Sequence, residues 1–210
     1  PYLPVLAGYT VNSSEVTDRF LYDYRLTVAD CLTDYFYGHL TDLASKYKLQ
    51  NQTEAAGICY PKWMEMDALR NLGRCDVPMG EFWYEDRNWL EDKRLKNGKQ
   101  TASAAHIYGK RLVAAEAFSS NLDWHDSPET LKSTADQAFC EGFNSLVVQC
   151  AAATIPGEKK PGSEYIGIHY DPRLTWWNQS GPFNLYIARC QSMLRQGLFA
   201  ADVLYYNGDG

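Results

Sequence analysis

Residues 101–118 read TASAAHIYGKRLVAAEAF, and this stretch decides the fold. Small and apolar residues run from Ala102 to Tyr108, Gly109 stops them, and an apolar run from Leu112 to Phe118 follows within three residues. A helix that ends in glycine and feeds a strand so quickly marks the short αβ loop of a parallel sheet. Thr101 is expected to cap that helix. The same grammar recurs downstream. Ser127-Pro128-Glu129 combines an N-cap, a first-turn proline and a first-turn acid, and that helix should stop at Gly142 before a strand from Ser145 to Cys150. Gly181-Pro182 opens another helix, closed by Gly197 before a strand from Phe199 to Tyr206. Upstream, the β-branched and aromatic run Tyr2–Val11 reads as a strand. Thr17 can then cap a long helix whose apolar positions Leu21, Tyr24, Val28, Cys31, Leu32, Tyr35 and Leu43 give it one buried face. A short strand at Leu49–Ala55, a helical stretch at Met64–Leu72 and a strand at Val77–Trp83 complete the pattern.

The strands that begin at Leu49, Val77, Leu112 and Ser145 are spaced by roughly 30 residues, with long irregular loops after the strands rather than before them. This predicts an α/β chain that forms part of a (β/α)8 TIM barrel. A whole barrel takes about 250 residues, so residues 1–210 are expected to be one domain holding about five β/α units, truncated on the N-terminal side. The start at Pro1 and the end on Gly208-Asp209-Gly210 read as a piece of something longer.

Composition narrows the function. The chain is 45% hydrophobic and holds 6 Trp, 15 Tyr and 8 Phe, enough to build a sizeable core. A net charge of −6 without a Lys/Arg run argues against nucleic acid as a partner. No apolar stretch approaches the roughly 18 residues of a membrane span. Six cysteines lie far apart without paired spacing and read as reduced thiols of a core; neither they nor His39, His106, His125 and His169 have zinc-site spacing. No nucleophile elbow, phosphate-cradling loop or dinucleotide fingerprint is present.

The chemistry sits in three carboxylates. Glu54, Glu81 and Glu116 fall at or near the C-terminal ends of three consecutive predicted strands, where barrels keep their active sites. Each shares its parity with a residue two before it, so all three should line one mouth. Convergent carboxylates can activate water for glycoside cleavage or ligate a hard cation. Trp83 beside Glu81, and Trp124, Trp176 and Trp177 on later loops, offer flat faces for a sugar ring. Gln149, at the end of the Ser145 strand, and the loop residue His169 could bond its hydroxyls. The acidic loop Glu85, Asp86, Glu91 and Asp92 reads as a solvated face.

The strings YLPVLAGY (2–9), TDRFLYD (17–23), ASAAHIYGK (102–110), LVAAEAF (112–118), TWWNQS (175–180) and IARCQ (187–191) resemble the α-L-rhamnosidases of glycoside hydrolase family 106 across essentially the whole chain. The resemblance implies a calcium-assisted, inverting hydrolase acting on terminal α-L-rhamnose of plant polysaccharides or glycosides, built on a (β/α)8 barrel in a multidomain protein, with the other domains as its partners. It implies Glu116 as the base that activates water. Glu81 becomes a second active-site carboxylate, a metal or substrate ligand, or the base in place of Glu116. The family's acid is expected on the strand preceding Pro1, and a periplasmic or secreted location follows from the family. One departure stands out: where the family pattern leads to a histidine-containing segment after the Ser145 strand, this chain has Gln149-Cys150-Ala151-Ala152-Ala153. A carbohydrate-binding pseudoenzyme and a galactosidase-like barrel enzyme are the rival readings.

Overall fold

A computed structural model describes residues 1–55, 67–83, 96–120, 125–149 and 170–206. The chain opens with a correction. Tyr2–Val11 is not a strand but a 3-10 turn, Leu3–Ala7, closed by Gly8 at φ +87°. Pro4 near its start has no N–H to give a ladder, and local β propensity without a partner strand does not suffice. Helix α1 (Ser14–Cys31) is capped by Ser13, whose hydroxyl accepts from the Val16 N–H. Thr17, expected as the cap, is buried inside the first turn and bonds the backbone of Val11 in both directions. A π-helical turn, Leu32–Gly38, carries α1 into α2 (His39–Lys46). The expected apolar face of this rod is only partly covered among the described residues: Leu21, Val28 and Leu32 are half-buried, while Tyr24, Cys31, Tyr35 and Leu43 remain exposed.

The sheet follows. Strand β1 is only Gln52–Thr53, shorter than the expected Leu49–Ala55; helix α3 is Ala68–Arg74, running past the expected end at Leu72; and strand β2 is Val77–Trp83, the bounds that the sequence predicts. Asp30 pairs with Arg70, Asp34 with Arg74 at 3.6 Å, and Thr33 donates to Asn71 at 2.6 Å, so a polar ladder ties the rod to α3. Helix α4 (Lys96–Ile107) begins earlier than expected and holds Thr101 in its interior, fully buried, rather than at its cap. The remaining elements are β3 (Ala114–Ser119), α5 (Pro128–Glu141), β4 (Ser145–Val148) and α6 (Gly181–Leu194). The α5 ends are those read from the sequence: Ser127 and Thr130 form a reciprocal cap, and Gly142 closes the helix at φ +114°. The predicted strand Phe199–Tyr206 is irregular and exposed, with Phe199 stacked on His106 at 3.6 Å. The described sheet therefore has four strands.

All four run parallel in the order β1-β2-β3-β4. Each new strand adds to the same edge, so right-handed crossovers put the helices on one face, as a barrel requires and a doubly wound sheet does not. The core is that helix face. Phe82, Ala115, Ala117 and Phe118 from the strands pack with Ala102 and Ala105 of α4, Leu131, Ala135 and Ala138 of α5, and Phe183 of α6. At the outer edge of β4, the Leu146 N–H donates to the Gln191 side chain of α6 at 2.8 Å. Of the cysteines, Cys75 is a buried core thiol, Cys31 and Cys140 are exposed, and Cys190 is half-buried; all four are free. Cys59 and Cys150 lie outside the described residues.

Candidate active site

Strands β2 and β3 alternate with period two. Gly80 and Phe82 of β2, like Ala115 and Ala117 of β3, are buried toward the helices, which leaves Glu81 and Glu116 on the opposite face, each half-buried. Glu81 and Glu116 are direct register partners, as are Met79 and Ala114 one step below. Gly80 permits the close fit behind them: a Cβ there would meet the Thr101 hydroxyl at 2.6 Å and the Phe143 ring at 3.2 Å.

Each carboxylate has its own donor. The Trp83 indole N–H donates to Glu81, and the Ser119 hydroxyl donates to Glu116 at 3.0 Å. Ser119 reaches that face because the register slips between Phe82 and Trp83, so that Trp83 pairs with Ser119 while Phe118 sits at φ +67°. Glu54, just past β1, is half-buried, and its pKa is pushed up to about 7, first by burial and then by the charges of Glu116 and Glu81. Three carboxylates from three adjacent strands therefore share one electrostatic neighbourhood. Gln149 extends β4 by donating its N–H to Ala117 at 3.0 Å. Its parity with Val147, the partner of Glu116, places it on the carboxylate face, and its side-chain oxygen is buried with no hydrogen-bond partner among the described residues.

The remaining aromatic candidates divide. Trp176 packs against the helix-side core and commits its N–H to the Asp126 carbonyl at 2.8 Å. Trp177 stands edge-on to Tyr170 at 5.5 Å, as Trp176 does at 5.6 Å. These are packing contacts. Trp124, His169 and the acidic loop residues Glu85, Asp86, Glu91 and Asp92 lie outside the described residues. His125 is exposed, His39 opens α2, and His106 is an α4 side chain whose pKa burial lowers. Sequence reasoning missed Ser119, because alternation from Glu116 assigns it to the helix side and nothing in the letters announces the slip.

Calcium requires six to eight oxygen ligands. Among the described residues no group of three His, Cys, Asp or Glu side chains is placed to hold a metal ion.

The α-L-rhamnosidase model Glyco_hydro_106 matches residues 1–210. The chain belongs to that family. Its fold is similar to the solved rhamnosidase from Novosphingobium sp. PP1Y, with a TM-score of 0.84 at 33% identity, covering 94% of this chain and 19% of that one. A protein of Formosa agariphila named "Putative beta-glucuronidase" is 35% identical over 210 residues, 99% of this chain and 17% of that protein. The chain thus spans less than a fifth of either relative.

Proposed function

We propose that this chain supplies one wall of the active site of an inverting glycosidase acting on terminal α-L-rhamnosides, as part of a (β/α)8 barrel. The observation that supports it is the register pairing of Glu81 with Glu116 on the sheet face turned away from the helices. Glu116 takes a proton from the water that attacks the anomeric carbon. Glu81 grips the sugar's hydroxyls beside it. Glu54 donates from its neutral carboxyl to another hydroxyl, and the buried oxygen of Gln149 accepts from one. Trp83 offers its ring to the sugar's apolar face. Inversion needs acid and base about 6.5–9.5 Å apart, whereas neighbouring strands lie only about 4.8 Å apart. Glu81 is therefore assigned to binding rather than to acid catalysis opposite Glu116, and the acid is placed outside this chain.

A second reading follows from Glu54. It lies two strands from Glu116, roughly 9.5 Å between backbones, and holds its proton near neutral pH, so it could itself be the acid. Leaving groups separate the two. If Glu54 is the acid, Glu54→Gln slows alkyl rhamnosides far more than nitrophenyl rhamnosides, whose leaving group needs no proton; if Glu54 only binds, both fall alike.

The main reading is tested in the full-length protein with nitrophenyl α-L-rhamnoside, run beside β-glucuronide and galactoside analogues because of the name the Formosa protein bears. Glu116→Gln is expected to lower kcat by about 10²–10⁴-fold with the fold retained. Turnover close to wild type removes Glu116 from the mechanism. Rhamnose binding without turnover by the wild type favours the carbohydrate-binding reading.

A further inference from the structure

Strand β3 contains one irregularity, and it lies two residues from Glu116. Phe118 adopts φ +67°, a left-handed conformation that a side chain as large as phenylalanine rarely takes. Across the same point the pairing slips: Phe82 faces Ala117, but Trp83 faces Ser119, so Phe118 is the extra residue of a β-bulge. The strain is held in place by the core. The Phe118 ring packs edge-on to Phe82 at 5.1 Å and reaches Phe183 at 6.2 Å.

The bulge changes which side chain accompanies Glu116. In an unbroken strand residue 118 would share the face of Glu116, and residue 119 would turn to the helices. With the bulge the phenylalanine goes into the core and the serine comes up. Ser119 is fully buried, and its hydroxyl donates to one oxygen of Glu116 at 3.0 Å. A buried hydroxyl so placed fixes the carboxylate plane and leaves the second oxygen as the one presented to water. Holding a reacting group in one orientation lowers the barrier by removing misaligned states.

We propose that Ser119 is the positioning residue of Glu116, and that the bulge at Phe118 exists to bring it there. This rests on Glu116 acting as the base. The test is a double-mutant cycle in the full-length protein, with kcat and KM measured on nitrophenyl α-L-rhamnoside and folding checked by circular dichroism and Tm. Ser119→Ala should lower kcat by about tenfold, as expected for loss of a hydrogen bond to a charged group, with KM within about twofold. Ser119→Thr, or Ser119→Cys should the extra methyl not fit, keeps a donor and should recover most of the loss. On a Glu116→Gln background, Ser119→Ala should cost nothing further, since its effect passes through Glu116. An equal loss on both backgrounds, a rise in KM with kcat unchanged, or a fall in kcat that no donor-bearing residue restores overturns the role of Ser119 while leaving Glu116 as the base. Near-wild-type turnover of Glu116→Gln overturns the base itself, and the inference with it.

Discussion

Glu54 shows how much one side chain owes to its neighbours. Its pKa rises from the ordinary 4.5 to about 7 because burial and two nearby carboxylates disfavour its charge. The folded state therefore holds this proton more tightly than the unfolded chain does. The stability it contributes is complete below about pH 4.5 and is lost as pH rises through about 7. In the full-length protein, Glu54→Gln should raise Tm relative to wild type at pH 8 more than at pH 5; a difference independent of pH contradicts the assignment. Thr101 offers a second residue-scale prediction. Its hydroxyl is buried inside α4 without a partner among the described residues, so Thr101→Val, of the same shape, should be neutral or stabilising by up to about 1 kcal/mol in chemical denaturation. A loss of several kcal/mol would mean that the hydroxyl is satisfied after all.

At the scale of elements, Gly80 is a point of close approach between strand β2 and helix α4. A methyl group there runs into Thr101 at 2.6 Å, so Gly80→Ala should destabilise by about 1–3 kcal/mol and lower kcat as well, since Glu81 is the next residue. Ser127→Ala removes the side-chain half of the α5 cap and should cost about 1 kcal/mol without touching activity. These two positions also show what the letters could tell. Ser127-Pro128-Glu129 and Gly142 were legible because capping is local chemistry, and Val77–Trp83 because its alternation sits between clear breaks. The glutamates were legible for the same reason: period two puts them on one face whatever surrounds it. Tyr2–Val11 and Phe199–Tyr206 were misread because a strand is defined by its partner, which composition does not reveal. Thr101 was misread because a threonine in front of alanines looks like a cap until packing buries it. Ser119 was hidden by a bulge, which shifts parity through long-range packing of the Phe118 ring rather than through any local motif.

At the scale of the molecule, one face of a parallel sheet is covered by helices and the other is only half-buried, whereas parallel sheets are stable when both faces are covered. Leu198, Leu204 and Tyr205 each leave more than three-quarters of their surface in solvent. Residues 1–210 expressed by themselves should therefore self-associate in light scattering and hydrolyse no rhamnoside; a monodisperse, active monomer would contradict this. The contact between Gln191 and the Leu146 amide has a consequence for closing the sheet. In a parallel strand the amides that point outward come at alternate residues, which makes Leu146 and Val148 the outward donors of β4, and the first is already taken. A strand that paired with this edge would find its first open amide at Val148 unless Gln191 gave up the amide of Leu146, so α6 biases such a ladder to start one step along the strand.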